Sequence, residues 1–414
     1  MSEWRGSATK SFIISRRTGH GSGRLKPLPE RYRMTRSTMS EAKIIYVVAP
    51  TGAAGGGMGR VKDYMLASGG DSAGRFAFRP LVTRDDRGAA FSVLLLARAV
   101  LAIWLMALRG RLAFVHVHFG DKGSAARKGL IVLAARLALV PVVLHLHAAE
   151  LIGFHAEGSA LRKAAIRLPF RAANVVIVLG KLWKDWLATE LRIDPAKIDI
   201  LYNGVPVEPM PRVFEAGRPR TLLFLGQLME RKGTHDLLHA LALLPEEAGD
   251  WRAVFAGNGD IPFYRGLAAE LGIASRVTFT GWVDQNGVRE WLARADMMAL
   301  PSYNEGIPLV ILEALGAGTP VICTPVGAIP EVLEEGRDVL FVPPGDHPAL
   351  ARAITRLMTE TALLQRLSDA GIDRFRRQFS LDVFIANLFA IYRRRFGLAI
   401  EPARRLGLPE ARHV

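Results

Sequence analysis

Short runs of apolar residues recur along the chain, and they alternate with longer stretches whose apolar positions are spaced as in helices. A run that is apolar throughout is typical of a strand covered on both faces, and its alternation with helical sequence predicts a parallel sheet between layers of helices. These runs lie at residues 43–49, 114–118, 142–147, 175–179, 222–225, 253–256, 277–279, 297–300 and 321–323. We therefore predict an α/β fold.

A proline-rich segment divides this pattern into two units. Pro206, Pro209 and Pro211 lie close together and predict a stiff linker, after which the alternation of strands and helices starts again. The predicted organisation is an α/β domain at 41–205, a linker at 206–219, a second α/β domain at 220–378, and a last helix with a tail at 379–414.

The longest apolar stretch runs from Ala89 to Leu108 and contains one charged residue, Arg98. Its length would allow it to cross a bilayer. However, it lies where a crossover helix is needed between two strands of one sheet, and spanning a membrane would separate those strands. We therefore predict a buried core helix.

The composition agrees with two globular domains. The chain has 414 residues, of which 50% are hydrophobic and 22% charged, and this excludes a mostly disordered protein. Its length also exceeds that of one ordinary compact core. Cys323 is the single cysteine, which excludes an intramolecular disulfide and a cysteine-rich zinc site and favours a reducing compartment.

The net charge of +15 is concentrated in the first half of the chain. Residues 1–40 carry nine Lys or Arg against two Asp or Glu and lack periodicity, so we predict a disordered basic tail. Residues 41–205 carry 22 against 12, whereas residues 206–414 carry 23 against 25. The first half should therefore meet something anionic, for which nucleic acid, anionic lipid and polyphosphate all qualify.

Two glutamates, Glu305 and Glu313, follow the run at 297–300, and Pro308 between them suits the first turn of a helix. If the whole segment were helical, the two carboxylates would share one side, about 12 Å apart along the axis. A nucleotide-sugar measures about the same from its sugar hydroxyls to its ribose. Each carboxylate would then hold one end of the ligand, while the helix start faces the diphosphate. The alternative interpretation is that Glu305 is an exposed residue before a helix and Glu313 an ordinary helical residue, with no shared ligand.

A pair of cations, Arg231 and Lys232, follows the first strand of the second unit. Ligands of α/β sheets bind at the carboxyl ends of strands. A cation at about 4 Å stabilises each unit of charge on a leaving diphosphate by up to about 4 kcal/mol. A solvated Arg-Lys turn is the alternative interpretation.

A glycine-rich loop follows the first strand, and Gly56 and Gly57 allow backbone amides to approach a ligand closely. Arg60 stands where the dinucleotide fingerprint requires its last glycine, and no Gly-Lys-Ser/Thr follows, so neither that fingerprint nor a P-loop is present. A purely structural turn is the alternative, as it is for Gly257 and Asn258.

Four histidines lie in two predicted strands, at 116, 118, 145 and 147. They suggest a metal site, but the chain contains neither Asp-x-Asp nor His-Glu-x-x-His. We predict no metal and assign most of these side chains to the core. His147 ends its strand at the ligand-binding edge and is a candidate site residue.

Taken together, the order and spacing of these motifs resemble family 4 of the retaining glycosyltransferases from about residue 43 to about residue 375. This resemblance implies the GT-B fold, in which two Rossmann-like domains face each other across a cleft. It also implies that the last helix, Leu381 to Phe396, packs back across the first domain. The resemblance is carried by Gly55-Gly56-Gly57, His147, Asn203-Gly204-Val205, Gly226, Arg231-Lys232-Gly233, Gly257-Asn258-Gly259, Ala295-Asp296, Pro301-Ser302, Glu305, Glu313 and Gly318-Thr319-Pro320-Val321-Ile322.

The resemblance implies a role for each candidate. Glu305 would bind hydroxyls of the donor sugar and favour positive charge at the anomeric carbon, and Glu313 would hold the ribose. Arg231 and Lys232 would bind the diphosphate, and His147 would line the cleft near the transferred sugar. The remaining candidates would contact the donor or, for the glycine-rich loop, the donor phosphate or the acceptor: Gly226, Gly257, Asn258, Gly306, Leu309, Gly56 and Gly57.

The same resemblance implies retention at the anomeric carbon and no metal or cofactor. The first domain would bind the acceptor, and the second would bind a UDP- or GDP-sugar. One position departs from the family pattern, since Gln227 stands where many members have an arginine, and Arg231 must supply the missing charge.

The segment from His116 to His147 looks like bacterial members that build exopolysaccharide, capsule or lipopolysaccharide on lipid-linked acceptors. A helix at 159–173 would place Lys163, Arg167 and Arg171 on one side, which suits anionic lipid headgroups. We therefore expect a cytoplasmic protein, peripheral on the inner face of the cytoplasmic membrane, with no nucleic-acid partner.

The alternative function is a basic α/β module that binds nucleic acid or a membrane without transferase activity. It would explain the charge, but it leaves the paired carboxylates and the adjacent cations without a purpose.

Overall fold

The computed structural model of the chain describes residues 42–50, 56–69, 71–84, 87–120, 123–398 and 401. The predicted basic tail at 1–40, the start of the glycine-rich loop and the tail beyond residue 401 lie outside the described residues.

The first domain is a six-stranded parallel sheet in the order β2-β1-β3-β4-β5-β6. Its strands are β1 (Lys43–Ala49), β2 (Phe76–Val82), β3 (Leu112–Phe119), β4 (Val142–Leu146), β5 (Val175–Val178) and β6 (Ile198–Ile200). Its helices are α1 (Gly56–Ala67), α2 (Ala89–Leu108), α3 (Gly123–Leu137), α4 (Leu151–Ala156), α5 (Ala160–Ala172) and α6 (Lys181–Thr189).

The second domain is another six-stranded parallel sheet, in the order β12-β11-β10-β7-β8-β9. Its strands are β7 (Arg220–Leu225), β8 (Trp251–Ala256), β9 (Val277–Gly281), β10 (Met297–Leu300), β11 (Val321–Cys323) and β12 (Leu340–Phe341). Its helices are α7 (Thr234–Ala242), α8 (Ile261–Glu270), α9 (Gln285–Arg294), α10 (Leu309–Gly316), α11 (Ile329–Val332), α12 (His347–Thr359) and α13 (Thr361–Gln378). A last helix, α14 (Leu381–Phe396), follows.

The two parallel sheets covered by helices confirm the predicted α/β class. The strands that the apolar pattern did not predict are the ones that lack an apolar run. Strand β2 exposes Arg79 and Pro80 at the edge of its sheet, where a proline costs no ladder hydrogen bond. Strand β6 has three residues, with Asp199 in the middle, and β12 has two.

Two helical layers cover the first sheet. Helices α2, α3, α5 and α6 share one buried cluster, to which they contribute Ile103, Val132, Phe170 and Leu187. Helices α1 and α14 belong to the other buried cluster, with Val61 among their residues. The first domain thus takes one of its covering helices from the far end of the chain.

The prediction of a buried core helix at Ala89–Leu108 is wrong in one respect. Helix α2 does form the crossover between β2 and β3, which both pair with β1. However, only 17% of its apolar window from Ala90 to Leu108 is buried. Of the residues described, this is the one helix long and apolar enough to cross a membrane. Its outer side is therefore an exposed apolar surface.

Helix α14 packs on the first domain, where a hydrogen bond, an aromatic contact and two ion pairs hold it. The Tyr392 hydroxyl lies 2.7 Å from Nδ1 of His116 on β3, and its ring packs edge-on against Phe114. Arg394 and Arg395 both donate to the carboxylate of Asp199 on β6 at 2.7 Å. These contacts combine an apolar anchor with an ionic one.

The chain crosses between the domains twice, and the two crossings lie side by side. The amide of Val205 donates to the carbonyl of Phe379 at 3.0 Å, and the amide of Leu381 donates to the carbonyl of Val205 at 3.1 Å. At Gly204 a Cβ atom would lie 2.5 Å from Cβ of Phe384 and 2.7 Å from the carbonyl oxygen of Ser380. Only glycine allows the two segments to approach this closely.

Candidate active site

The candidate residues of both domains lie where strands end. Glu305 follows β10, Arg231 and Lys232 follow β7, and His147 follows β4. The carboxyl ends of parallel strands form one edge of a sheet, which is where ligands of α/β folds bind. Contacts between the domains, described below, show that the two edges face each other.

Glu305 lies in the loop before α10, not on the helix. Helix α10 begins at Leu309, with Pro308 at its N-cap, so only Glu313 is helical and the 12 Å estimate for a continuous helix does not apply. Glu305 is nonetheless buried, at 6% exposure. Its Oε1 accepts hydrogen bonds from Lys232 Nζ at 2.5 Å and from Ser302 Oγ at 2.9 Å.

The cations of the second domain lie in a tight turn against this loop. Gly233 ends the turn with a positive φ of 69°, and a Cβ there would collide with the carbonyl of Pro301. Arg231 Nη1 donates to the carbonyl of Asn304 at 2.8 Å. Its Nε lies 3.3 Å from Glu150 of the first domain, so Arg231 connects the Glu305 loop with the opposite side of the cleft.

Glu313 also contacts the first domain. Its Oε1 pairs with the guanidinium of Arg60 on α1, and its Oε2 is buried without a hydrogen-bond partner among the described residues. Arg60 additionally donates to the Tyr64 hydroxyl at 3.1 Å, which accepts a second hydrogen bond from Gln285 Nε2 at 3.1 Å. Helix α1 thus meets the second domain at the carboxylate predicted to hold the ribose.

Close backbone packing explains several of the glycines. A Cβ on Gly257 would collide with the carbonyl of Gly226, which itself has a φ of 154°. The amide of Leu228 donates to the carbonyl of Asn258 at 2.7 Å. The loops after β7 and β8 therefore lie against each other beside the Arg231–Lys232 turn, with Asn258 exposed.

The glycines at the contact between the domains are explained by packing against the opposite domain. A Cβ on Gly306 would lie 2.9 Å from Leu179 of the first domain, and one on Gly57 would lie 3.8 Å from Leu309. Gly56 begins α1 with a φ of 45°. The start of α1 and the start of α10 therefore approach each other across the cleft.

Four imidazoles lie at the cleft end of the first sheet. His147 Nε2 lies 2.9 Å from His118 Nδ1, and His116 Nε2 lies 3.3 Å from His145 Nδ1. Burial lowers the pKa of all four, that of His145 to about 3, so they are neutral near pH 7. His147 alone is partly exposed, toward the cleft edge.

Ring nitrogens of His116, His118 and His145 lie within 4.8 Å of one another, and so do the ligand atoms of His235, Asp236 and His347. Among the residues that the structure describes, these are the groups close enough to share a metal ion. The first group is fully buried and includes no carboxylate.

Lys128 on α3 lies beside these rings and is also buried. Its Nζ contacts Met58 Sδ at 3.1 Å. Burial, with repulsion from Arg127 as the smaller cause, lowers the pKa of Lys128 to about 7. Repulsion from this amine also contributes to the lowered pKa of His118 and His147.

Sequence reasoning missed three residues of this site, Arg60, Glu150 and Ser302. Arg60 had one signal, since it replaces the last glycine of a fingerprint directly after the glycine-rich loop. Ser302 lies within a quoted motif but received no role. Glu150 had no signal, because its partner Arg231 belongs to the other domain.

Comparisons with known proteins agree with this geometry. The family described as "Glycosyltransferase Family 4" matches residues 66–209, and the family described as "Glycosyl transferases group 1" matches residues 219–360. The two matches fall on the two domains.

Three relatives illustrate the range of similar proteins. The alpha-D-kanosaminyltransferase of Streptomyces kanamyceticus is 25% identical over 70% of this chain and 81% of its own length. The phosphatidyl-myo-inositol mannosyltransferase of Mycobacterium leprae is 33% identical over 52% and 58%. The lipopolysaccharide core glycosyltransferase LpsE of Rhizobium meliloti is 33% identical over 38% and 45%. The match thus spans about half the length of the last two.

Solved structures show the same fold. The sucrose-phosphate synthase of Thermosynechococcus elongatus has a TM-score of 0.70 at 20% identity, covering 86% of this chain and 99% of its own. Anabaena HepE, solved with UDP and glucose, has a TM-score of 0.65 at 18% identity, covering 84% and 100%. With facing parallel sheets, two family matches and these neighbours, the chain belongs to the family 4 glycosyltransferases of the GT-B fold.

Proposed function

We propose that this glycosyltransferase moves a sugar from a UDP- or GDP-sugar to a hydroxyl group of a lipid-linked glycan, with retention at the anomeric carbon and without a metal or cofactor. The product would serve exopolysaccharide, capsule or lipopolysaccharide synthesis. The lipopolysaccharide core relative and the UDP complex of HepE support the pathway class and the donor class.

One observation carries the proposal. Lys232 Nζ lies 2.5 Å from Glu305 Oε1 at the edge of the cleft, where the carboxylate is buried and the lysine is partly exposed. Burying a charged carboxylate has a cost in desolvation, so this ion pair is a candidate for function. The pair combines a cation for a leaving diphosphate with a carboxylate for the sugar.

The proposed chemistry uses both charges. As the bond between the anomeric carbon and the diphosphate oxygen breaks, negative charge grows on the diphosphate, where Lys232 and Arg231 stabilise it. Positive charge grows at the anomeric carbon and is favoured by Glu305. The acceptor hydroxyl attacks from the same face, and its proton passes to the leaving phosphate oxygen.

The other residues would bind and orient the donor. Glu313 would accept hydrogen bonds from the ribose hydroxyls. Its Oε2 has no described hydrogen-bond partner, and its Oε1 would become available once Arg60 moves aside. The backbone at Gly306 and Leu309 would face the phosphates. His147 is neutral, so its ring nitrogen that does not face His118 can hydrogen-bond a sugar hydroxyl.

The strand-end loops would complete the donor site. Gly226, Gly257 and Asn258 would form its floor beside the cations, since their backbones are packed against one another. Gly56 and Gly57 would approach the donor phosphate or the acceptor. The basic first domain would take the lipid-linked acceptor, and the protein would then work in the cytoplasm, peripheral on the inner face of the cytoplasmic membrane.

The test is a screen of UDP- and GDP-sugars for slow donor hydrolysis by the purified full chain, followed by NMR assignment of the released anomer. We expect one donor class to be cleaved, with release of the anomer that the donor carried. Salt-sensitive nucleic-acid binding that no nucleotide-sugar competes would instead support the alternative, a binding module without transferase activity.

A further inference from the structure

The outer side of helix α2 is an apolar stripe with no described cover. Leu94, Leu101, Leu105 and Leu108 follow one another at helical spacing on this side, and Leu101 and Leu108 are 58% and 85% exposed. The opposite side of α2 holds Ile103 in the core of the first domain. A helix on the surface of a soluble domain usually places polar residues on its outer side. An exposed apolar stripe on such a helix therefore indicates a binding surface.

Neighbouring helices extend this surface. The indole Nε1 of Trp104 on α2 donates to the carbonyl of Ala134 on α3 at 3.0 Å. Helix α3 in turn packs closely on α5, since a Cβ on Gly129 would lie 3.0 Å from Cγ of Pro169. We call the outer surface of these helices the α2–α3–α5 face. Its further exposed leucines are Leu130, Leu137 and Leu139 in and after α3, and Leu161 and Leu168 in α5.

The charges of the α2–α3–α5 face have one sign. None of the three helices contains Asp or Glu, and between Arg87 and Ala149 the only acidic residue is Asp121. Exposed arginines accompany the leucines at 98 and 109 near α2 and at 162 and 171 in α5. The three basic residues predicted on α5 are partly covered, since Lys163 and Arg167 are half-buried and Arg171 is exposed.

Leucine side chains surrounded by arginines are the composition of a surface that lies in the interface of an anionic bilayer. On such a surface leucines would enter the acyl boundary, and arginines would reach the phosphates with their guanidinium groups. Because β2 and β3 at the two ends of α2 belong to one sheet, this helix could lie on a membrane but not span it.

We infer that the α2–α3–α5 face docks the first domain onto an anionic lipid surface, with the leucine stripe of α2 in the headgroup region. Helices α2 and α3 directly follow β2 and β3 of the first sheet, and so start from the cleft end of the domain. The cleft therefore opens at the membrane, and the inference rests on the proposed function for the lipid-linked nature of the acceptor.

Two other occupants fit the charges less well. A second copy of this face would bring arginines against arginines. The segment 1–40 carries nine Lys or Arg against two Asp or Glu, so it too would be repelled. An anionic bilayer fits both features of the face. Its headgroups complement the arginines in charge, and its acyl boundary is as apolar as the leucines.

The test is co-sedimentation of the full chain with vesicles of phosphatidylcholine alone and of phosphatidylcholine mixed with phosphatidylglycerol. We expect binding to the mixed vesicles at least about tenfold stronger than to the neutral ones, falling with salt. The double variant Leu101→Gln/Leu105→Gln should lose at least about tenfold in affinity, since two apolar side chains no longer enter the lipid.

A matched control carries the same change elsewhere. Leu243 is a comparably exposed leucine in the second domain, so Leu243→Gln should bind vesicles as the wild type does. Equal vesicle binding by the double variant and the wild type would overturn the inference. So would light scattering that shows a dimer for the wild type and a monomer for the double variant, because the face would then cover a second copy.

A separate measurement distinguishes this inference from the proposed function. UDP binding by the double variant should equal that of the wild type, because α2 lies outside the donor site. Loss of vesicle binding with intact UDP binding supports the face as a lipid surface. Normal vesicle binding by a chain that binds neither UDP nor GDP would leave the lipid surface standing and remove the proposed transfer reaction.

Discussion

Arg60 on helix α1 of the first domain forms an ion pair with Glu313 on helix α10 of the second. Both side chains are largely covered, and the same arginine reaches the Tyr64 hydroxyl. The carboxylate assigned to the ribose is thus paired with a cation of the opposite domain. Donor binding and domain closure should therefore be coupled at this pair.

Charge exchange tests that coupling. Arg60→Glu places two carboxylates together and should open the cleft, with a larger radius of gyration in small-angle scattering. The double variant Arg60→Glu/Glu313→Arg should close again, because the ion pair is restored with its ends exchanged. Its UDP affinity should stay at least about tenfold below that of the wild type, since the ribose meets a cation instead of a carboxylate.

The single variant Glu313→Ala provides the kinetic counterpart. It should raise the donor KM with a small change in kcat, because the ribose does not react. A double variant that recovers both closure and UDP affinity would refute the assignment of Glu313 to the ribose.

Lys232 should act on the chemical step. Lys232→Ala removes the cation 2.5 Å from Glu305 and leaves that buried carboxylate with Ser302 as its hydrogen-bond donor. We expect kcat to fall by about 100-fold with a smaller change in donor KM. Steady-state kinetics with the donor found in the hydrolysis screen measure both.

Arg265→Ala is the control for Lys232. Arg265 is an exposed cation of the same domain, on α8, so its removal should leave kcat unchanged. Normal turnover by Lys232→Ala would contradict the role in leaving-group stabilisation.

Removal of divalent cations should leave turnover unchanged. In the proposed reaction Arg231 and Lys232 neutralise the diphosphate, and the buried imidazoles of His116, His118 and His145 face one another in the first domain. Activity is measured before and after dialysis against EDTA. A loss that added Mg²⁺ or Mn²⁺ reverses would show that a metal ion takes part.

Gly204 should be intolerant of a side chain. In Gly204→Ala the new Cβ would lie 2.5 Å from Cβ of Phe384, so one of the two interdomain crossings must shift. We expect a loss of about 2 kcal/mol in the free energy of unfolding. Gly266 on α8 has no atom within 4 Å of its missing Cβ, so Gly266→Ala should stabilise the helix by up to about 1 kcal/mol. Equal effects in chemical denaturation would argue against close packing at the crossing.

Lys128 should make stability depend on pH. Its pKa is about 7 in the folded chain and ordinarily 10.5. Between those values the unfolded chain binds a proton that the folded chain does not, so the wild type gains stability as the pH rises through this window. Each pKa unit corresponds to about 1.4 kcal/mol.

Lys128→Met removes this linkage. The variant should be more stable than the wild type at pH 7, and the difference should shrink toward pH 10. Thermal unfolding across this range measures it. A difference that does not change with pH would show that the amine titrates normally in the folded chain.

The strands and their parallel arrangement follow from the sequence wherever burial is complete. Strands β7 and β8 contain the apolar runs 222–225 and 253–256 because both faces are covered at those positions, whereas β2 exposes Arg79 and Pro80 and has no such run. Helix α2 shows the converse error. Its composition predicts burial, yet its outer side is exposed, because hydrophobicity alone does not reveal whether a helix is covered by protein.

The site residues divide along a similar line. Glu305 and Lys232 are recognisable because each lies in a motif after a strand. Arg60 and Glu150 contribute through contacts between domains, which depend on how two separately folded units meet. Neither the periodicity nor the local spacing of residues along the chain predicts these contacts between the domains.

Helix α14 has a consequence for synthesis of the protein. Residues 381–396 leave the ribosome only after both sheets have been synthesised, yet they supply Tyr392 and Phe389 to the first domain and neutralise Asp199. Until α14 has been synthesised, one face of the first sheet lacks a covering helix, and Phe78 and Phe114 are uncovered in the nascent chain. The N-terminal unit therefore cannot finish folding before the second domain has been synthesised, and chains that terminate before α14 expose an apolar surface on which chaperones or proteases act.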